Sequence, residues 1–480
     1  MPGTLSPALA ARRPALLLLL FFFGVSVVFA FLSESTYDTS DSLNHFLYAR
    51  YAFRHPANFA ESWSKPLVVL VHALPAQAGL RGVMLLQCVC AAVAAWLAFG
   101  VARRLRLPWP ALVILFIYAA PDYFRIQLSG MTEPLFSVVL MGSVALAVAR
   151  RPVWAAVLVS WLPFVRSEGF LLLGVFGVYL LGARQWRALP GLLLGYVVYG
   201  VVGLFVYGDF WWVFTRNAYP LVAPQYGHGE LLHFVRNLPE VIGWVQFGLL
   251  GLGGAQMLWA WAQPLRRREP RLFTTELLLV YGSVVVFIGA HSVFWWKGIF
   301  ASYGLMRVVN GVVPLLALVA LNGVYLLAGA LRTERARTRL RQGVAAVAVL
   351  VVLLGLRAGF RWNRDFTRFS DQLLADKLAQ ALPNPRPRVL YAHPVVPYGL
   401  HLDPFDARQT GRMGEVRTTR PLPAGTLVVW DDWFAPTEYG VPLTLLQGNP
   451  QYRQRWRGAI PRNRFKPTTD SVRFIVFERL

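Results

Sequence analysis

The sequence predicts an all-α polytopic membrane protein that carries a small α/β domain at its carboxyl end. The first observation behind this prediction is composition: 56% of the 480 residues are hydrophobic, 17 are Trp and the mean hydropathy is +0.46. A soluble fold of this length could not bury so much apolar surface. The second observation is that long apolar runs alternate with short clusters of arginine, as in chains that cross a bilayer many times.

Arginine clusters give the expected topology. They lie at 12–13, 103–106, 150–151, 184–187, 266–271 and 332–341, each two apolar segments after the last. Cytoplasmic loops of membrane proteins carry such an excess of basic residues, so we expect the amino terminus inside and the acidic loops outside. The net charge of +23 then reflects topology and attraction to anionic lipid headgroups, and no nucleic-acid partner is predicted.

The apolar segments predict about eleven transmembrane helices. The first is a retained span and not a signal peptide, because no small-residue cleavage site follows it. Three segments, at 109–121, 153–165 and 168–182, are shorter than the roughly twenty residues of a straight crossing, which indicates tilt or a thinned or water-filled region. The predicted spans are 15–32, 80–102, 109–121, 133–149, 153–165, 168–182, 190–207, 240–262, 273–294, 306–329 and 342–357.

Two long outer loops are expected, at 33–79 and 208–239. The end of the first loop, 66–79, is apolar but holds His72 and Pro75, so it suits a re-entrant or interfacial segment better than a full crossing. Long loops between closely spaced helices usually carry function.

The composition becomes polar and proline-rich after residue 357. A helical pattern at 366–381 is followed by strand-like runs at 388–391, 426–430 and 472–478. We therefore expect a transmembrane domain over 1–357 and a soluble α/β domain over 358–480, which would lie on the extracytoplasmic (periplasmic) side of a multi-pass inner-membrane protein.

The loop after the first span places two carboxylates and a histidine at the bilayer surface, where idle charge is disfavoured. If Asp38 caps a helix that begins at Thr39, then Asp41, His45 and Tyr48 share one helix face. This spacing indicates a functional loop. The structural alternative is that the acids only stabilise the start of a helix through capping and the helix dipole.

A second cluster lies at the next outer loop. Thr132 and Glu133 precede Pro134 in the pattern of a helix start, with Thr132 as the cap. Asp122, about ten residues earlier, has no such structural explanation, so we consider it a candidate for catalysis or substrate contact.

Two further outer clusters contain cations. Arg166 and Glu168 either neutralise each other at a tight turn or form a pocket wall. Lys297 follows Trp296 at an outer membrane edge, where an aromatic belt and a snorkelling lysine are expected without any ligand. Arg307 stands at the head of an apolar helix and is the better candidate for binding a phosphate.

Taken together, these clusters resemble those of the GT-C superfamily of polytopic lipid-linked sugar transferases, which includes protein mannosyltransferases, the aminoarabinose transferase and related bacterial family 39-like enzymes. The resemblance covers about residues 15–330 and rests on the order and common sidedness of the clusters. Many members have Asp-Glu in the first outer loop, where this chain reads Asp41-Ser42. Asp38 and Asp41 therefore both stay candidates for the base.

The resemblance implies transfer of a sugar, a mannose-like hexose or a pentose, from a polyprenyl-phosphate donor to an acceptor hydroxyl on the outer face. A carboxylate would take the acceptor proton while cations stabilise the leaving phosphate, and a single displacement would invert the anomeric centre. Asp41 would be the base, and Asp122 would share the catalytic site. The expected substrate-binding residues are Asp38, His45, Glu133, Arg166, Glu168, Lys297 and Arg307.

Lipid, glycan or protein could serve as acceptor, with membrane lipids around the chain. No cofactor is required by these residues, although a divalent metal is compatible with the acidic loop, and no glycine-rich phosphate loop or nucleotide motif is present. The alternatives from other classes are a transporter or flippase of lipid-linked sugar and a polysaccharide polymerase or ligase.

Overall fold

A computed structural model gives the fold of residues 12–107, 109–216, 221–222, 224–262, 270–329, 366–383, 386–418, 421–463 and 471–480, with the single residues 343, 350 and 354. The predicted span 342–357 and the arginine clusters at 266–268 and 332–341 lie outside the described residues, apart from those single positions. The description below concerns the described part of the chain.

The regular structure described between residues 12 and 329 is helical. The α-helices are Arg12–Leu32, Asp41–Arg50, Pro66–His72, Leu80–Arg104, Leu112–Tyr118, Pro121–Ile126, Glu133–Val148, Pro152–Val159, Gly169–Gly182, Leu194–Tyr207, Trp212–Thr215, His233–Arg236, Leu238–Ile242, Trp244–Ala262, Pro270–Thr275, Ser283–Lys297 and Val313–Gly329. Short 3-10 helices at Pro56–Ala60, Pro75–Ala78, Leu162–Phe164, Trp186–Leu193, Pro224–Tyr226 and Met306–Val312, and a π-helix at Glu276–Gly282, join or extend them.

Within the described ranges, five helical segments are long and apolar enough to cross a membrane: Arg12–Leu32, Leu80–Arg104, Trp186–Tyr207, Leu272–Lys297 and Met306–Val324. Three more apolar helices are shorter, at Glu133–Val148, Pro152–Phe164 and Gly169–Gly182. Two of these correspond to segments predicted to be short. A helical fold with several membrane-length helices is therefore confirmed, whereas the number of eleven spans stays a prediction.

Small residues allow two of these helices to pack at backbone distance. Trp244–Ala262 and Val313–Gly329 lie against each other, and a Cβ on Gly253 would overlap the Val319 carbonyl. The same holds for Gly323, whose Cβ would overlap the carbonyl of Leu249. Such close approach gives dense van der Waals packing between apolar helices, and it fixes the helix that carries the outer-end residues described below.

The carboxyl end forms a five-stranded sheet whose strand order is β2-β1-β3-β5-β4. The strands are β1 (Val389–Tyr391), β2 (Thr410–Arg412), β3 (Leu427–Asp431), β4 (Tyr452–Pro461) and β5 (Ser471–Arg479). Strands β1, β2 and β3 are parallel, and β5 pairs antiparallel with β3 and β4. The remaining helices here are Ser370–Ala381, Val395–Gly399 and Phe434–Thr437, with 3-10 turns at Met413–Arg417 and Leu443–Leu445. The predicted helix and three predicted strands all appear, although the sequence missed β2 and β4.

The first outer loop contacts the carboxyl-terminal domain at the segment between β1 and β2. Tyr51 donates its hydroxyl proton to the Leu402 carbonyl at 3.2 Å, and His55 lies 3.0 Å from the Asp403 carboxylate. The segment 66–79 forms a seven-residue helix and a 3-10 turn, so it is too short to be a full crossing.

Candidate active site

Arg307 is the centre of the first acidic cluster. It lies on the 3-10 helix Met306–Val312, and its guanidinium donates to Asp38 Oδ2 at 2.6 Å and to the carboxylate of Asp41. The two acids come from the first outer loop, more than 260 residues away in sequence. All three side chains are partly exposed, so water still reaches these charge-assisted pairs.

Asp38 and Asp41 have different local roles. Asp38 Oδ1 accepts hydrogen bonds from the backbone amides of Ser40 and Ser42, both at 3.0 Å. The helix begins at Asp41 and not at Thr39 as the capping pattern predicted. The Asp38 side chain accepts one amide from the turn before this helix and one from its first turn. Asp38 is therefore a structural cap as well as a partner of Arg307, and Asp41 is the more exposed acid of the two.

Asp122 is buried and surrounded by donors. The hydroxyl of Tyr37 donates to both of its oxygens at 3.0 and 3.1 Å, and Asn310 donates to Oδ2 at 2.7 Å. Arg125, one turn further along its own helix, pairs with Oδ1. Asn310 is on the same 3-10 helix as Arg307, so the two acidic outer loops meet on one short segment.

Arg166 is the centre of a second cluster. Its guanidinium donates to Glu133 Oε1 at 2.6 Å, to Glu168 Oε1 at 2.8 Å and to the Thr132 hydroxyl at 2.8 Å. His291 Nε2 lies 3.7 Å from the same Glu168 oxygen. Glu133 is also within electrostatic range of Arg307.

The helix-start interpretation of Thr132 and Glu133 was partly wrong. Thr132 does occupy the position before the helix Glu133–Val148, but its side chain makes no capping hydrogen bond. Its hydroxyl accepts from Arg166 instead. Mutual neutralisation of Arg166 and Glu168 is observed, but Arg166 also reaches Glu133, which sequence proximity could not indicate.

His45 and Lys65 flank these two clusters in the first outer loop. His45 stacks on Trp63 with ring centroids 4.8 Å apart, and its Nδ1 lies 3.1 Å from the Ser64 hydroxyl. Burial lowers the pKa of His45 to about 3, so the ring is neutral at physiological pH. These contacts order the loop beside Asp41, while contact of His45 with substrate stays a prediction.

Lys65 was missed by the sequence analysis. Its Nζ donates to the Ser62 carbonyl at 2.7 Å and to the Ser167 hydroxyl at 2.8 Å, which places it beside Arg166 and Glu168. Burial lowers its pKa from 10.5 to about 8. The available sequence signal was a lysine directly before a proline in the loop already suspected of function. In the structure Lys65 has a positive φ of 68°, which marks a constrained position.

Lys297 lies apart from these contacts in the structure. It is exposed at the end of the helix Ser283–Lys297, with its ammonium 3.8 Å from the centroid of the Trp296 ring. This is the arrangement expected of a belt residue that snorkels at the membrane edge.

The acids do not form a metal centre in this arrangement. In the part of the chain that the structure describes, no three His, Cys, Asp or Glu side chains converge as metal ligands would. Asp38 and Asp41 do converge, but on the guanidinium of Arg307, which supplies the positive charge between them. Among the described residues the acidic loop therefore shows no metal centre, and a divalent ion at this loop stays an expectation.

Two solved structures have a similar fold. The archaeal oligosaccharyltransferase AglB from Archaeoglobus fulgidus, in complex with an inhibitory peptide and a dolichol-phosphate, matches over 82% of this chain and 65% of its own, with a TM-score of 0.51 and 12% identity. The Archaeoglobus fulgidus oligosaccharyltransferase in complex with Zn and sulfate matches over 80% and 62%, with a TM-score of 0.50 and 10% identity. The chain spans somewhat less than two thirds of the length of each.

No family model and no curated protein matches the sequence. At 10 to 12% identity the structural likeness concerns the fold alone. It confirms that the chain shares a fold with these two oligosaccharyltransferases, as the resemblance to the GT-C superfamily predicted, while membership of that superfamily and of a family within it stays an expectation.

Proposed function

We propose that this protein is a membrane glycosyltransferase that moves a sugar from a polyprenyl-phosphate donor to an acceptor hydroxyl at the outer face. The observation that carries the proposal is the Arg307 centre, in which two carboxylates from one loop converge on a guanidinium at the end of an apolar helix. The fold shared with the two oligosaccharyltransferases supports it, and one of these structures holds a dolichol-phosphate and a peptide.

The donor phosphate would bind among the cations. Arg307 and Arg166 present partly buried guanidiniums, and Lys65 adds an ammonium beside Arg166. Guanidinium groups bind phosphate oxygens in pairs of charge-assisted hydrogen bonds. Positive charge placed where the leaving phosphate develops its charge lowers the barrier to transfer.

Asp41 is the better candidate for the base because it is the more exposed acid, while Asp38 is committed to the turn amides. Before substrate binds, Arg307 neutralises both acids and weakens their basicity. A donor phosphate would compete for the guanidinium. Each contact that Arg307 transfers to phosphate leaves Asp41 a stronger base.

In the proposed reaction the acceptor hydroxyl gives its proton to the carboxylate of Asp41 as its oxygen attacks the anomeric carbon. The bond between that carbon and the phosphate oxygen breaks, and the electron pair leaves with the polyprenyl phosphate. One displacement inverts the anomeric centre. The group transferred would be a mannose-like hexose or a pentose, and the acceptor a lipid, glycan or protein.

Asp122 and Glu133 would position these groups. Asp122 is surrounded by Tyr37, Asn310 and Arg125, which suits a residue that fixes the loop more than one that exchanges protons. Glu133 is fully buried on Arg166 and would fix the orientation of that guanidinium, while Glu168 holds its second nitrogen.

The test is transfer by the full chain in liposomes. Wild-type protein is expected to move label from polyprenyl-phosphate hexose or pentose to an acceptor pool. Asp41→Asn should abolish this without loss of membrane expression. Glu230→Gln is the matched control, because Glu230 is an exposed acid of another outer loop, and this variant should stay active.

Activity retained by Asp41→Asn would remove Asp41 as the base. Movement of the lipid-linked sugar across the bilayer with no transfer to any acceptor would favour the flippase alternative. Products that lengthen by many repeats would indicate a polymerase.

A further inference from the structure

A second buried polar group lies behind the acidic loop, at its junction with the carboxyl-terminal domain. The Thr39 hydroxyl donates to Asp371 Oδ2, and His393 Nε2 lies 3.1 Å from the same oxygen. All three side chains are nearly inaccessible to water. In the sequence Thr39 lies between the two acids that pair with Arg307. Asp371 and His393 belong to the carboxyl-terminal domain, in the helix Ser370–Ala381 and directly after β1.

The hydrogen bonds define the direction of this group. The amide of Val395 donates to His393 Nδ1 at 3.2 Å, so Nδ1 is an acceptor and the N–H of the ring is on Nε2, from which it is donated to Asp371. The His393 ring is packed against Phe434 at 4.8 Å and Phe474 at 6.0 Å between centroids. Asp371 is thus held from below by His393 and presents its oxygen to Thr39.

The helix Ser370–Ala381, which carries Asp371, and the segment before it hold the loop at two further points. Ser35 donates its hydroxyl to Gln372 Oε1 at 2.7 Å, and this oxygen also accepts the Phe369 amide at 3.0 Å. The amide of Glu34 donates to the Phe366 carbonyl at 2.9 Å. Three separate contacts therefore connect residues 34–39 to the helix Ser370–Ala381 and to the segment directly before it.

We infer that Asp371 and His393 are positioning residues for the proposed sugar transfer, which act by holding Thr39 and thereby set the places of Asp38 and Asp41. The inference rests on the proposed function. Both act on the acids through the loop, by way of Thr39. Displacing a reacting group by about 1 Å can cost on the order of 100-fold in rate, so a contact that fixes this loop affects turnover more than donor binding.

The activity experiment compares Thr39→Val with Thr39→Ser in the full chain. Valine keeps the shape and removes the hydroxyl, and it should lower kcat by about 10- to 100-fold with the donor KM changed less than about threefold. Serine keeps the hydroxyl that donates to Asp371 and should restore most of kcat. Asp371→Asn should also lower kcat, but by less than Thr39→Val does. Asp376→Asn is the matched control, since Asp376 is on the same helix but pairs with Arg368 at the surface.

Equal loss of kcat in the valine and serine variants would overturn the inference, because the hydroxyl contact would then not be its cause. So would a wild-type kcat in Thr39→Val, or a loss confined to donor KM.

Hydrogen exchange gives a readout that does not depend on transfer. Asp371→Ala in the full chain should speed amide exchange at residues 36–44 by about tenfold or more, with Asp376→Ala unchanged. Unchanged exchange would show that Asp371 does not hold this loop in place, and would overturn the inference. If wild-type protein shows no transfer but Asp371→Ala speeds exchange, the proposed function fails, whereas the structural role of Asp371 in holding the loop is retained. The two failures are therefore distinguishable.

Discussion

The two arginine centres use the same chemistry in different surroundings. Arg307 pairs with Asp38 and Asp41, whose side chains are 21% and 32% exposed. Arg166 pairs with Glu133 and Glu168, whose side chains are 0% and 17% exposed. An acid that water and substrate can reach is able to exchange a proton, whereas an acid sealed under a guanidinium can only hold its partner in place.

The contrast also predicts which changes damage folding. Removing one member of a buried ion pair leaves an uncompensated charge in a medium that cannot solvate it. Removing one member of a partly exposed pair leaves a charge that water can still reach. We therefore expect the Arg166 centre to govern stability and the Arg307 centre to govern turnover.

The largest effect is expected from Arg166→Met. The variant leaves Glu133 buried without its guanidinium, which should lower the free energy of unfolding by about 3 to 5 kcal/mol and with it all activity. Thermal unfolding in detergent and the yield of folded protein measure this. A variant with wild-type thermal stability would show that the second centre does not hold the helices together.

Asp41→Asn should do the reverse. We expect transfer to fall by about 100- to 1000-fold, the range for loss of a positioned base, while the unfolding temperature changes little because Asp41 is partly exposed. Glu168→Gln is the matched change at the other centre and should lower the unfolding temperature more than Asn at position 41 does. The comparison fails if the two variants lose stability equally.

A smaller effect is expected from pH, through Lys65. Its pKa is lowered to about 8 by burial, so the ammonium that would bind phosphate is lost above that pH, and the donor KM should rise about tenfold between pH 7 and 9. Lys65→Arg keeps its charge throughout and should flatten this rise. A wild-type KM that is constant across this range would remove Lys65 from donor binding.

Loss of folded protein through Lys65 cannot explain the expected rise of the donor KM with pH. In the unfolded chain a lysine loses its proton near 10.5, so between about pH 8 and 10.5 the unfolded state holds more protons than the folded state. The contribution of Lys65 to stability therefore rises with pH in this window. A circular dichroism melt at each pH separates the two effects.

The smallest effect is expected from Lys297→Ala. The lysine is exposed and lies on the ring of its own neighbour Trp296, so transfer should change by less than about twofold. A donor KM raised tenfold or more would extend the phosphate site to this edge of the membrane and would weaken the contrast between the two centres.

Local patterns in the sequence predicted much of the fold. The spacing of apolar and basic segments is a local property, so helices and outer loops could be located from it. The helix Ser370–Ala381 and the strands β1, β3 and β5 were predicted because their residues are buried in a regular pattern. Strand β4 was missed because its exposed positions carry arginines and glutamines at the sheet edge, and β2 is only three residues long.

Pairings across the fold could not be predicted. Nothing near Asp41 in sequence indicates Arg307 as its partner, and Asn310 looks like an isolated polar residue in an apolar helix until Asp122 is placed beside it. Thr39 appeared as a helix start, whereas it holds the carboxyl-terminal domain. These contacts depend on the three-dimensional arrangement of helices, which local pattern does not encode.

Arg307 and Asn310 are three residues apart on a 3-10 helix. With about three residues per turn, their side chains stand one above the other. An α-helix advances about 100° per residue, so rewinding this turn would rotate Asn310 by about 60° relative to Arg307. Asp122 would then lose its amide while the acid pair kept its guanidinium. The winding of these seven residues therefore sets the distance between the two segments that carry Asp41 and Asp122.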